Sequence, residues 1–137
     1  MKPLLMRIAI LTSVAAVTVR APSETLSTQP FARTLECSNG DCSLLNGRPK
    51  TAGMRSGFVR LNPGQSVGWH TTGQHEESLV ILRGQGAALI EGQAQHPFTA
   101  PAFAYIPPET RHNVTNTGAL ILEYVYVVAP IAGESHR

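Results

Sequence analysis

The chain has 137 residues, 42% of them hydrophobic and 15% charged, with a formal net charge of +2. That length gives one domain with a core of its own, and that balance excludes an intrinsically disordered chain. The eleven Lys and Arg residues are scattered and form no basic stripe, which excludes a nucleic-acid partner.

Residues 1–21 read as a secretory signal peptide. Lys2 and Arg7 precede an apolar run from Ile8 to Val19, and Val19-Arg20-Ala21 has the small-x-small form of a cleavage site. A cut after Ala16 is the alternative. The run is too short for a permanent span, so the processed protein is expected to be periplasmic or secreted, without membrane contact. A chain that keeps these residues would be cytoplasmic. Removing them takes away Lys2, Arg7 and Arg20, leaving eight basic against nine acidic residues, a net charge of −1.

Residues 22–54 read as an N-terminal arm with a small hairpin. Cys37 and Cys42 flank Ser38-Asn39-Gly40-Asp41, and Asn-Gly favours a two-residue type I′ loop because both positions need positive φ. With that loop Cys37 faces Cys42 in a close, non-hydrogen-bonded pair, a separation that suits a disulfide. Export would supply the oxidising compartment. Residues 43–57 hold Gly47, Pro49, Gly53 and Gly57 and read as a loop or irregular strand.

Residues 55–130 carry short apolar or β-branched runs between turn signals. The runs are Phe58 to Leu61, Ser66 to His70, Ser78 to Arg83, Ala87 to Ile90, Phe103 to Ile106, His112 to Asn116 and Leu120 to Val128. No window after residue 21 has a helical period of useful length. The expectation is an all-β domain, an antiparallel sandwich or barrel, followed by a tail over residues 131–137.

The chemistry gathers at His70-Thr71-Thr72-Gly73-Gln74-His75-Glu76-Glu77, with His112 downstream. Side chains alternate along a strand, so His75, Glu77, Leu79 and Ile81 share a face and Glu76 points away. A carboxylate facing a core is expensive without a partner. Two imidazoles and a carboxylate from His70, Glu77 and His112 suit a divalent transition metal, whether Fe, Mn, Zn, Ni or Cu, with coordination positions left open. His75 is a candidate fourth ligand. Taken singly, each of these residues also reads as an ordinary solvated side chain, as His96 and His136 do. On the last strand Glu123 should face water, which turns Tyr124 and Tyr126 inward as candidate pocket residues, or as core aromatics with satisfied hydroxyls. Arg60 and Arg83 read as surface residues, with contact to an anionic substrate at the mouth as the alternative.

These segments resemble the two cupin motifs. Gly64, His70, Glu77 and Gly84 fall on the first, which runs Gly, five residues, His, one residue, His, three or four residues, Glu, six residues, Gly. Pro107, His112 and Asn116 fall on the second. Thr72 stands where the second His belongs, Glu109 where the motif Gly belongs, and Pro101 where a further Gly is expected. The resemblance covers roughly residues 55–130. It implies a single jelly-roll β-barrel (a double-stranded β-helix), commonly homodimeric, with the two His of the first motif, its Glu and the His of the second as metal ligands. Carried over, that gives His70, Glu77 and His112, with His75 as the candidate to stand in for the residue displaced at Thr72, or as a His two before the Glu that binds no metal. The implied function is metal-dependent binding or turnover of a small molecule in the barrel mouth, by an oxygenase, isomerase or lyase. The alternative is a non-catalytic binding barrel with a weakened or lost metal site.

Overall fold

The structure, a computed structural model, describes residues 29–37 and 40–131. The signal-peptide reading, His136 and the expected tail beyond Ile131 lie outside those residues, as do Ser38 and Asn39 of the expected hairpin turn. The described residues contain eight strands and no helix: β1 (Cys42–Asn46), β2 (Arg55–Leu61), β3 (His75–Arg83), β4 (Gln85–Ile90), β5 (His96–Thr99), β6 (Ala102–Ile106), β7 (His112–Asn116) and β8 (Leu122–Pro130). They form an antiparallel five-stranded sheet in the order β1-β2-β8-β3-β6 and an antiparallel three-stranded sheet in the order β5-β4-β7.

Period-two patterning sets which face is buried. On β3, Glu77, Leu79 and Ile81 are buried while Val80 and Leu82 are exposed. Val59 and Leu61 of β2 and Leu122 and Tyr124 of β8 complete that inner face, and Ile106 and Val114 join the same core. The two sheets do not hydrogen-bond into a closed ring, and two antiparallel sheets of this kind are consistent with the expected jelly roll.

Three local expectations change. Residues 29–37 contain no strand, so the expected hairpin lacks its first arm. Cys42 instead opens β1 opposite Phe58 of β2, and a disulfide ties it to Cys37 with the Cα atoms 5.8 Å apart. The segment from Ser66 to His70 makes two isolated bridges, Ser66 with Thr115 and His70 with His112, rather than a strand. β5 forms where His96 and Pro97 gave no strand signal, because edge pairing to β4 tolerates a proline.

Two turn positions are set by their backbone conformation. At Gly84 φ is +85°, and a β-carbon would stand 2.6 Å from the carbonyl oxygen of Ile121, so only glycine fits between β3 and β8. At Glu109 φ is 57°, the left-handed region, which costs an ordinary side chain about 1 kcal/mol or more. Its backbone N–H donates to the Gly73 carbonyl at 2.6 Å and ties the loop before β7 to the loop before β3. Glu109→Gly relieves the strain but gives the unfolded chain more freedom. The expected net gain is about 0.5–1 kcal/mol, read as a higher urea midpoint.

Candidate metal site

His70 and His112 face each other through reciprocal backbone bonds. The N–H of each donates to the carbonyl of the other at 2.9 Å, and the ring centroids are 4.3 Å apart. The pairing register continues down β7, with Val67 N–H donating to the Val114 carbonyl and Asn116 N–H to the Gln65 carbonyl. Each imidazole is oriented by a carbonyl two residues upstream. His70 Nδ1 lies 2.9 Å from the Gly68 oxygen, and His112 Nδ1 lies 2.9 Å from the Thr110 oxygen. A carbonyl only accepts, so both Nδ1 atoms carry protons, and in the neutral rings both Nε2 atoms present lone pairs. Asn113 supports this arrangement, its Oδ1 accepting from the Gly68 N–H at 2.9 Å.

Glu77 enters from β3, between β6 and β8. Its Oε2 lies 3.2 Å from His112 Nε2. The separation is that of a hydrogen bond, but the alignment is not, and both buried atoms are left without a hydrogen-bond partner. Buried polar atoms in such a state call for an explanation. Ligand atoms of His70, Glu77 and His112 all lie within 4.8 Å of one another. Two donors about 2.1 Å from a shared ion, at angles between square and tetrahedral, stand about 3.0–3.4 Å apart. The 3.2 Å separation fits that spacing. The donor set, two imidazole nitrogens and one carboxylate, suits a divalent transition metal and leaves coordination positions open.

His75 is not brought into this group. It pairs with Pro130 at the outer end of β3, and its Nδ1 lies 3.1 Å from the Thr72 carbonyl. Alternation gives it the face of Glu77 but places it one repeat further out, where it borders a separate depression with Arg48 and Arg55. Thr72 does not replace it, because its hydroxyl donates to the His75 carbonyl at 2.9 Å. Among the described residues the ligand group therefore has three members. Glu76 points away and accepts from the Tyr105 hydroxyl at 3.2 Å, and His96 is exposed on β5.

Beside the ligand group lies a cavity of about 310 Å³. His70, Glu77 and Thr72 line it, with Tyr124 and Tyr126 of β8 and the apolar walls Val59, Val67, Val114 and Val128. Glu123 turns to the opposite face of β8 and pairs with Arg60 at 2.9 Å. The Tyr126 ring crosses Gly57, where a β-carbon would come within 2.5 Å of it, so the bare position on β2 gives that ring its seat. Arg55, which no sequence signal marked, also lines the cavity.

Burial pushes the Tyr124 hydroxyl well above its ordinary pKa, and the charges of Glu77 and Asp41 add to that, so Tyr124 keeps its proton. Burial lowers the His112 pKa, but the Glu77 carboxylate and the Thr110 carbonyl outweigh it and raise the value above 6.5. In the metal-free protein the His112 cation therefore stabilises the fold fully below pH 6.5, and that contribution fades as pH rises through the raised folded value. A metal competes with the same proton. Metal affinity is expected to keep increasing above pH 6.5, while the metal-free melting temperature loses the His112 contribution over the same interval. Calorimetric titration and thermal melts across pH 6 to 8 check both slopes.

The cupin domain model matches residues 57–128, more than half of the chain. No curated protein matches it. Among solved structures, the chain resembles a Cupin 2 conserved barrel domain protein from Salinispora arenicola, with 23% identity and a TM-score of 0.61 over 74% of this chain and 90% of that one. It resembles a cupin protein from Bacteroides fragilis at 17% identity and a TM-score of 0.60, over 79% of this chain and 93% of that one. It also resembles a protein from Thermotoga maritima described as a predicted oxalate decarboxylase, at 22% identity and a TM-score of 0.54, over 72% of this chain and 100% of that one. The paired motifs, the two-sheet β fold and the matched domain together make this chain a member of the cupin domain family.

Proposed function

We infer that this protein is a small metal-dependent cupin that binds or acts on a small molecule in the cavity beside His70, Glu77 and His112. The observation that carries this reading is the buried pair Glu77 Oε2 and His112 Nε2, 3.2 Å apart with neither atom hydrogen-bonded, gathered with a ligand atom of His70 within 4.8 Å. A divalent transition metal (Fe, Mn, Zn, Ni or Cu) held there supplies Lewis acidity toward an oxygen of the bound molecule. The chain supplies the rest. The valine walls exclude water, the protonated Tyr124 hydroxyl donates a hydrogen bond, Tyr126 shapes the space, and the exposed His70 side opens the site to solvent.

A second reading, a binding barrel with a weakened metal site, is favoured by one observation. Thr72 spends its hydroxyl on the His75 carbonyl and leaves three ligands instead of four. Metal analysis of untagged protein separates the two readings. About one metal per chain, as purified or after reconstitution, is the expected result, and less than about a tenth with no uptake would overturn it.

The reading includes export after removal of residues 1–21 and a homodimer. Export is supported by the leader pattern and by the Cys37–Cys42 disulfide. No helix among the described residues is long and apolar enough to cross a membrane. The homodimer is supported by Val80, Leu82, Phe103 and Tyr105, exposed together on the outer face of the five-stranded sheet. Native mass measurement of protein recovered from the exporting host checks both. The full-length mass, or a mass of one chain, counts against the respective claim.

A further inference from the structure

The cavity's inner face is ordered in rows across the sheet. From the core outward, Leu61 pairs with Leu122, Val59 with Tyr124, Gly57 with Tyr126 and Arg55 with Val128. On the other side of β8, Val128 pairs with Glu77. Arg55, Val128 and Glu77 therefore form one row, with the guanidinium-bearing residue and the carboxylate ligand two strand spacings apart, roughly 10 Å between Cα atoms. The residue between them is a valine, so nothing polar bridges the row.

Arg55 is the only cationic residue among those that line this cavity, apart from the imidazole of His70. It makes no ion pair among the described residues, where Arg60 is engaged by Glu123 and Arg111 by Glu91. Its aliphatic stem has a seat. A β-carbon on Gly47 would stand 3.3 Å from Arg55 Cγ, so the bare backbone of that turn accommodates the side chain. The depression on its other side is bordered by Arg48 and His75, so the rim around Arg55 is basic.

We propose that Arg55 is the specificity residue of this site and that the molecule taken is a small carboxylate, its carboxylate on the Arg55 guanidinium and a second oxygen directed at the His70, Glu77 and His112 group. This rests on the metal-site reading for the second oxygen but not for the first. A guanidinium fork matches a carboxylate with two parallel hydrogen bonds. Between the two ends the valine walls and Tyr126 accept a short apolar body, and the cavity of about 310 Å³ admits only a small one. Without metal, the Glu77 carboxylate in the same row opposes a second anion; with a divalent cation in place that repulsion becomes attraction.

Malonate and its neutral analogue malonamide serve as probes, titrated calorimetrically into metal-free and Zn²⁺-loaded full chain. Malonate is expected to bind at least tenfold more tightly than malonamide, and more tightly to the loaded form. Arg55→Gln is expected to weaken malonate at least tenfold in both forms and leave malonamide unchanged, with Arg55→Lys in between. Arg83→Gln removes the same charge from an exposed position outside the cavity and is expected to leave malonate within twofold. An equal loss in both glutamine variants, equal binding of the two probes, or no binding of malonate to either form overturns the proposal. A chain that takes up no Zn²⁺ but binds malonate through Arg55 overturns the metal-site reading while keeping the carboxylate role of Arg55.

Discussion

Replacing His112 with alanine is expected to abolish stoichiometric metal binding and to destabilise the metal-free fold by about 3 kcal/mol. His112 is fully buried, and its removal leaves both a cavity and the Glu77 carboxylate without its imidazole neighbour. An uncompensated buried charge is among the few causes of large single-site losses. Glu77→Gln separates the two effects. It removes the charged ligand, so metal affinity is expected to fall by more than about 100-fold, since even outer-shell partners cost 10–100-fold. It leaves no buried carboxylate to compensate, so metal-free stability is expected within about 1 kcal/mol of the parent. Urea denaturation of metal-free protein, beside metal titration of both variants, checks the contrast. A His112→Ala protein that keeps full metal affinity would remove His112 from the ligand set.

Asn116→Ala is expected to cost about 3–4 kcal/mol without touching a ligand. The Asn116 side chain is buried at the end of β7 and makes three hydrogen bonds. Its Nδ2 donates to the Leu61 and Leu120 carbonyls, both at 2.8 Å, and its Oδ1 accepts from the Gly118 N–H at 2.8 Å. Alanine leaves those backbone groups without a partner, each at about 1 kcal/mol or more. Asn116→Asp keeps the shape but loses the donor, and places negative charge against two carbonyls, so a loss of similar size is expected. The backbone of the same residue holds the loop that leads to His70. Its N–H donates to Gln65, and its carbonyl accepts from Gly64 at 3.1 Å. Metal affinity is therefore expected to fall a few-fold in this variant, far less than in His112→Ala. Denaturant midpoints and titrations on one preparation test the ordering.

Much of this could be read from the residues. The alternation in Glu77-Ser78-Leu79-Val80-Ile81 assigns a face to each side chain, and the structure puts Glu77, Leu79 and Ile81 in the interior. Gly64, His70, Glu77 and Gly84, with Pro107, His112 and Asn116, pointed to the cupin family, which the matched domain shows. What alternation does not carry is depth. His75 and Glu77 share a face, yet two residues of rise carry His75 to the mouth beside Pro130, beyond the ligand group. Arg55 was invisible for a related reason. It follows a glycine-rich stretch that read as loop, and only its register with Val128 places it on the row of Glu77. β1 was obscured by Gly47 and Pro49 just beyond it, and β5 by Pro97, since local breakers outweigh pairing in a single sequence.

The central claim is that His70, Glu77 and His112, and not His75, hold the metal. X-ray absorption spectroscopy on Zn²⁺-loaded untagged protein tests it most directly. Two imidazoles per zinc with oxygen completing the shell is the predicted result, reduced to one imidazole in His70→Ala and unchanged in His75→Ala. Three imidazoles in the parent, falling to two in His75→Ala, or a shell with no imidazole, would contradict it.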